Sequence, residues 1–105
     1  MMKINPLHDS AQPAGACKLQ LEGEMTIYRA QAIQQDLQTY LDSYEAFDLD
    51  LQRIEEIDSS GIQLLLLLKH KSERAGRSFR ISACSTAVEE VLRLFWLQDW
   101  LQQPA

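Results

Sequence analysis

The polar residues that could carry chemistry are concentrated in one turn, Asp58-Ser59-Ser60-Gly61. An apolar alternation at residues 47–51 precedes this turn, and a leucine run at residues 64–68 follows it. A phosphoryl group on a serine at the start of a helix would be stabilised by free backbone N–H groups and by the helix dipole. The adjacent Asp58 carboxylate would repel it. These residue types fit a phosphorylation switch, and they also fit a common structural turn that carries no chemistry.

The two serines of the turn are predicted to have different roles. Ser60 is followed three residues later by Gln63, the spacing of a capping box, so the Ser60 hydroxyl is predicted to cap a helix. Gly61 is then the first helical residue, and its missing side chain lets the backbone approach a neighbouring element. Ser59 lies just outside the helix, beside Asp58, and is the predicted phosphate acceptor.

The segment after the turn is predicted to be a helix that is covered on most sides. Residues 62–68 contain too many leucines for one stripe of a surface helix. The basic residues from Lys69 onward end the apolar run long before it could cross a bilayer. Gly76 is the predicted stop signal of this helix.

Apolar periodicity predicts four strands. The first is short and lies within residues 1–8, where Pro6 ends it, and the second covers residues 16–22 until Gly23 breaks it. The third begins at Phe47, with residues 52–57 as a connector to the turn. The fourth covers residues 78–82.

Two further helices complete the predicted order β-β-α-β-α-β-α. Thr26 is predicted to cap the first helix, which runs to about Ser43, and a Thr86-x-x-Glu89 capping box starts the last. Strands separated by helices imply crossover connections and parallel pairing, whereas the first two strands are predicted to be antiparallel. The prediction is a single α/β domain over residues 1–105, with a mixed four- to five-stranded sheet and helices packed against it.

Composition argues against several functional classes. The chain has 105 residues, which allow one domain with one core, and a net charge of −5. It lacks a basic run with interleaved aromatic residues, so nucleic-acid binding is not expected. The amino-terminal residues lack a long apolar segment, so a cytoplasmic location without membrane insertion is expected.

Metal, cofactor and enzymatic roles are not expected either. Cys17 and Cys84 are far apart and are predicted to be reduced core thiols, because a zinc site needs more Cys or His at close spacing. His8 and His70 are isolated in sequence, and the Gly-x-Ser-x-Gly elbow of serine hydrolases is absent. A nucleophilic Ser59 is the enzymatic alternative.

The end of the chain is unusually aromatic. Residues 95–101 include Trp96 and Trp100. Two interpretations stay open: these side chains close the core, or they form an exposed docking surface. A short fourth helix could form here.

Taken in order, these segments resemble the STAS domain, the family of bacterial anti-sigma factor antagonists. The resemblance covers about residues 16–97. It implies that the serine directly after the aspartate, Ser59, is phosphorylated by a partner kinase that is also the anti-sigma factor. The matching segments are Leu21-Glu22-Gly23-Glu24, residues 47–51, the turn Ile57-Asp58-Ser59-Ser60-Gly61-Ile62, residues 79–81 and residues 86–94.

One position departs from this resemblance. Family members in sigma-factor switches often read Gly-Glu-Leu-Asp, and that aspartate helps partner recognition, whereas this chain reads Gly23-Glu24-Met25-Thr26. Thr26 cannot supply the charge. The sequence Met25-Thr26-Ile27-Tyr28 is more similar to STAS proteins encoded with chemotaxis components.

The resulting hypothesis is a non-enzymatic, phosphorylatable interaction module, monomeric or weakly dimeric, without a cofactor. Asp58, Ser59, Ser60 and Gly61 form its switch turn, and a kinase or anti-sigma protein is its partner. The alternative is a constitutive STAS subunit of a lipid-trafficking ABC transporter or of a chemotaxis-linked complex, without a phosphorylation switch.

Overall fold

Seven elements form in the predicted order. The computed structural model describes residues 3–7, 15–27 and 29–97, apart from the side chains of Leu7 and Leu41. His8, Trp100 and the suggested fourth helix lie outside the described residues. The elements are β1 (Lys3–Leu7), β2 (Ala16–Met25), α1 (Ala30–Ser43), β3 (Ala46–Ile57), α2 (Ser59–Arg74), β4 (Ser78–Cys84) and α3 (Thr86–Leu94).

The strands form one mixed sheet in the order β1-β2-β3-β4. β1 pairs with β2 in the antiparallel sense, as predicted from the loop that joins them. The pairs β2–β3 and β3–β4 are parallel. The crossover helices α1 and α2 return the chain to the end of the sheet at which the preceding strand began. The predicted mixed α/β fold is therefore confirmed, with four strands among the described residues.

One face of this sheet carries the core. Cys17, Leu19 and Leu21 of β2 are buried, and the alternate residues Lys18 and Gln20 are partly exposed. The same alternation at the start of β3 and of β4 continues this buried apolar face, whereas Leu49, Asp50 and Leu51 of β3 are buried in succession. Helix residues complete the same cluster: Ile33 and Leu37 of α1, Ile62, Leu65 and Leu68 of α2, and Val88 and Leu92 of α3.

β2 and β3 are both longer than the sequence predicts. β2 runs through Gly23, which has a φ of +118°, and the pairing with β3 shifts register on either side of Glu22 and Gly23. A bulge of this kind absorbs a glycine without ending the strand. β3 likewise includes the predicted connector, residues 52–57. Pro6 lies within β1 and does not end it, because β1 is an edge strand.

The predicted starts of α1 and α3 are wrong. Thr26 does not cap α1: its carbonyl accepts hydrogen bonds from the Arg29 and Ala30 N–H groups at 2.9 Å, forming a turn, and the helix begins at Ala30. α3 is capped by Ser85, whose hydroxyl accepts from the Val88 N–H at 3.3 Å, so the predicted box at Thr86 is one residue late. In both places a different acceptor binds a free backbone N–H group at the helix start: the Thr26 carbonyl in α1 and the Ser85 hydroxyl in α3.

The predicted end of α2 is confirmed. Gly76 has a φ of +71°, its N–H donates to the Glu73 carbonyl at 3.0 Å, and the Arg77 N–H donates to the Ser72 carbonyl at 2.8 Å. This pair of bonds is a Schellman motif, which satisfies carbonyls at the end of the helix.

After α3, one residue of the aromatic segment packs on the core and another is exposed. Leu97 packs against the core. Trp96 is 86% exposed and has a φ of +60°, so it does not close the core. In the described part of the chain, no helix combines the length and apolar character needed to cross a membrane.

Candidate functional site: the junction of β2, β3 and α2

The switch turn lies at the carboxyl ends of two neighbouring parallel strands. Met25 and Ile57, the last residues of β2 and β3, are partners in the sheet register. The Asp58 N–H extends this pairing by donating to the Met25 carbonyl at 3.2 Å. The residues that follow β2 therefore meet the residues that follow β3. This is the carboxyl end of the parallel strands, where open α/β sheets commonly place their functional groups.

Asp58, and not Ser60, caps α2. Asp58 has an extended backbone, and its Oδ1 accepts a hydrogen bond from the Gly61 N–H at 3.1 Å. The helix therefore begins at Ser59, and the predicted capping box of Ser60 with Gln63 is wrong. The physical reason is position, because the strand pairing ends at Asp58 and leaves its side chain as the first acceptor that faces the helix start.

Asp58 also reaches the loop that follows β2. Its Oδ2 accepts a hydrogen bond from the Ile27 N–H at 3.0 Å. One carboxylate thus joins two backbone segments that are 31 residues apart in sequence. Local sequence patterns contain no signal for this second bond, because it depends on the register of β2 with β3.

Ser59 and Ser60 occupy the first two positions of α2. Ser59 is exposed and Ser60 is partly buried. The backbone N–H groups at these positions have no partner within a helix, since the first intrahelical bond of α2 is from the Ile62 N–H to the Asp58 carbonyl. The exposed Ser59 hydroxyl therefore lies beside Asp58 at the positive end of the helix dipole. The sequence predicts that Ser59 lies just outside the helix, but in the structure Ser59 belongs to the first turn of α2.

Gly61 is required by close packing of α2 against β2 and β3. A β-carbon at this position would lie 2.4 Å from the Met25 carbonyl oxygen and 2.6 Å from Cγ1 of Ile57. The predicted close approach of the backbone is found, although Gly61 is the third helical residue and not the first. The helix start is thereby held against the ends of both strands.

Two glutamates make the neighbouring surface acidic. Glu24 and Glu56 are partners across β2 and β3. A hydrogen bond to Glu24 raises the pKa of Glu56, and the negative charges of Glu24 and Asp58 add to this effect. Sequence reasoning missed this pair because two glutamates 32 positions apart become neighbours only through strand register.

A shallow groove opens between α1 and α2 and reaches Ser60, the residue that follows Ser59. The described residues that line it include no charged side chain, although the chain has a net charge of −5. Ile27 on one side is 65% exposed, and Leu67 on the other is 37% exposed, so α2 is less covered than its leucine run predicts. We call this the α1–α2 groove, lined by Ile27, Ala30, Gln31, Gln34, Ser60, Gln63, Leu64 and Leu67.

The described residues near Ser59 do not form a nucleophile–base pair. His70 is on the same helix, 11 residues from Ser59 and exposed, which places it roughly three turns along α2. His8 lies outside the described residues. The geometry of the turn thus offers a hydroxyl that can accept a group, and His70, the histidine that the structure describes, is too far along α2 to activate it.

Comparison with known proteins identifies the family. Residues 8–103 match the family model described as "Mlab, STAS domain", which covers most of the chain. The chain therefore belongs to the STAS domain family, as its sequence motifs suggested. A comparison with curated protein sequences finds no match.

Solved structures share the fold. The anti-sigma factor antagonist SpoIIAA in its unphosphorylated form is 18% identical, with a TM-score of 0.72 over 93% of this chain and 84% of that chain. An anti-sigma factor antagonist from Mycobacterium paratuberculosis is 23% identical, with a TM-score of 0.73 over 92% and 81%. A sulfate transporter family protein from Wolinella succinogenes is 21% identical, with a TM-score of 0.68 over 85% and 73%. The four-stranded mixed sheet with three helices is thus the STAS fold.

Proposed function

We propose that this STAS domain is a protein-interaction module, similar to anti-sigma factor antagonists, whose partner docks over the start of α2 and the α1–α2 groove. Phosphorylation of Ser59 switches this binding. The observation that carries the proposal is the position of Ser59, which is exposed at the first turn of α2 and directly precedes Ser60, a residue that lines a groove with exposed apolar side chains. Asp58, Ser60 and Gly61 hold the turn in this position.

The switch is electrostatic. A phosphoryl group adds roughly −2 charge and is bound by water on all its oxygens. A partner seated on the α1–α2 groove would have to remove part of that water, and the new charge would add to the negative charges of Asp58, Glu24 and Glu56. A loss of about 3 kcal/mol in binding free energy weakens association more than a hundredfold. This is enough to release the partner.

The proposed partner is a serine kinase of the anti-sigma type, which brings ATP and the catalytic base to Ser59. The STAS domain itself contributes the acceptor hydroxyl and the docking surface, in the cytoplasm. The fold supports this proposal, because it is shared with SpoIIAA, of which unphosphorylated and phosphorylated forms have been solved.

A second candidate is a constitutive subunit without a switch, attached to a lipid-trafficking ABC transporter or a chemotaxis-linked complex. Thr26 favours it, since this residue replaces the aspartate that the resembling sigma-factor switches use for partner recognition. The shared fold of a sulfate transporter family protein is also compatible with it. In this case the α1–α2 groove is a permanent docking surface, and Ser59 stays unmodified.

The test is a pull-down from lysate of the source cells with wild type, Ser59→Ala and Ser59→Asp as baits. A kinase or anti-sigma protein retained by wild type and Ser59→Ala, with at least tenfold less on Ser59→Asp, is expected. Thr86→Asp is the matched control, since it places a carboxylate at the first position of α3. Equal retention of a transporter ATPase or chemotaxis protein by all four baits would overturn the switch and support the constitutive subunit.

A further inference from the structure

We infer that Asp58 is a positioning residue that transmits charge at Ser59 to the loop carrying Ile27, and so moves part of the docking surface. This inference rests on the proposed function, because it describes how the modified turn would alter the α1–α2 groove. It adds a conformational route to the direct repulsion between a phosphoryl group and the partner.

The geometric basis is that one side chain serves both elements. Oδ1 of Asp58 accepts from the Gly61 N–H at 3.1 Å, and Oδ2 accepts from the Ile27 N–H at 3.0 Å. A carboxylate group is planar and rigid, so its two oxygens move together. Any rotation that improves or weakens the bond to α2 also changes the bond to Ile27.

The other contacts at this junction leave the carboxylate as the adjustable part. The Asp58 N–H is bonded to the Met25 carbonyl, and Gly61 is packed against the same carbonyl without space for a β-carbon. The backbone of β2, β3 and α2 is therefore tightly held here. Ile27 lies two residues beyond Met25, in a turn that precedes α1, and the side chain of Ile27 is mostly exposed.

A negative group on Ser59 acts directly on this carboxylate. It would be adjacent to Asp58 in sequence and would compete for the N–H groups of the first turn of α2. Repulsion between neighbouring anions drives the Asp58 carboxylate from its position, which weakens the bond to the Ile27 N–H. Ile27 is then freed to leave the edge of the groove where the partner docks.

The bonding pattern also explains why a carboxylate is needed. A serine or asparagine at position 58 would still cap α2 with its single acceptor oxygen. Neither could accept from the Gly61 and Ile27 N–H groups with two separate oxygens, and neither carries a charge that Ser59 modification could repel. Asp58→Asn and Asp58→Ser therefore separate capping from transmission.

The test follows backbone amides in the purified full chain by NMR, without any partner. Ser59→Asp is expected to shift the Ile27 amide resonance and to raise its hydrogen-exchange rate by roughly threefold or more. That factor equals about 0.7 kcal/mol from RT ln 3. In the Asp58→Asn and Asp58→Ser backgrounds, the same Ser59→Asp change should alter Ile27 by less than half as much, because the transmitting charge is gone.

Thr86→Asp is the matched control, since Ser85, the cap of α3, is neutral and its hydroxyl accepts from the Val88 N–H within its own helix. Thr86→Asp should leave the resonance and the exchange rate of the Ile27 amide unchanged. The inference would be overturned if Ser59→Asp left the Ile27 amide unchanged when Asp58 is present. It would also be overturned if the Ile27 response were equally large in the Asp58→Asn and Asp58→Ser backgrounds.

The two proposals fail in different ways. If Ser59→Asp releases the partner while the Ile27 amide is unaffected, the switch stands and acts by direct repulsion alone. If Ile27 responds through Asp58 but partner binding is unaffected, the transmission stands and the proposed function falls.

Discussion

Single residues at the β2–β3 junction decide where α2 begins and what can pack beside it. Asp58 takes the capping position that the sequence assigns to Ser60, because strand pairing continues to Asp58 and its carboxylate is the first available acceptor. Gly61 is required because its neighbours are a backbone carbonyl and a buried isoleucine. Because Asp58 supplies the cap, the proposed acceptor Ser59 is the first helical residue, and it is exposed there.

A substitution at Gly61 tests this packing. In most helices Gly→Ala stabilises by about 1 kcal/mol. Here the added methyl group would lie 2.4 Å from the Met25 carbonyl oxygen, so Gly61→Ala is expected to lower the free energy of unfolding by about 3 kcal/mol. Urea denaturation measures the change.

Gly76→Ala provides the comparison, since a β-carbon at Gly76 would meet nothing within 4 Å but φ is +71°. Backbone strain alone should cost about 1–2 kcal/mol there. If Gly61→Ala proved as stable as wild type, the close contact of α2 with Met25 would be wrong.

At the scale of elements, α2 and α3 end with the same backbone motif and different residues. In α3 the Trp96 N–H donates to the Arg93 carbonyl and the Leu97 N–H to the Leu92 carbonyl, as in the Schellman motif of α2. The left-handed position is occupied by glycine in α2 and by Trp96 in α3. A bulky residue is strained in this conformation, and Trp96 gains little from burial.

Trp96→Gly is therefore expected to stabilise the protein by about 1 kcal/mol, since glycine adopts the left-handed conformation without strain. Trp96→Ala keeps a β-carbon and should recover little of this gain. Thermal unfolding of wild type and both variants checks the prediction. Equal Tm values for the glycine and alanine variants would show that the end of α3 is not strained.

At the scale of the whole molecule, folding partly buries the thiol of Cys84, the last residue of β4. Burial raises the pKa of Cys84 to about 12, and the charges of Glu89 and Asp50 contribute. The ordinary thiol pKa of 9.0 applies to the unfolded chain. The folded state thus holds its proton more tightly, and the stability linked to this thiol is complete below pH 9 and is lost as pH rises towards 12.

The expected outcome is a free energy of unfolding that falls between pH 9 and 11 more steeply in wild type than in Cys84→Ala. Urea denaturation at pH 8, 9, 10 and 11 measures both slopes. Lysines and tyrosines titrate in both proteins, so the difference in slope isolates the thiol. Parallel slopes would mean that Cys84 is not desolvated by folding.

The sequence alone determined the order of elements, the buried face of β2 and of the start of β3, the end of α2 at Gly76 and the choice of Ser59 as candidate acceptor. These features depend on apolar periodicity and on turn residues, which act between near neighbours in the chain. The STAS motif added the family, which the comparisons confirm.

Only the tertiary structure decided the features that depend on strand register. The pairing of Met25 with Ile57 extends both strands, makes Asp58 the cap, joins it to Ile27 and places Glu24 beside Glu56. These contacts link residues about 30 positions apart, and no local pattern encodes which residue of one strand lies opposite which residue of the other. The α1–α2 groove also depends on tertiary structure, since its two sides are brought together by the packing of α1 and α2 on the sheet.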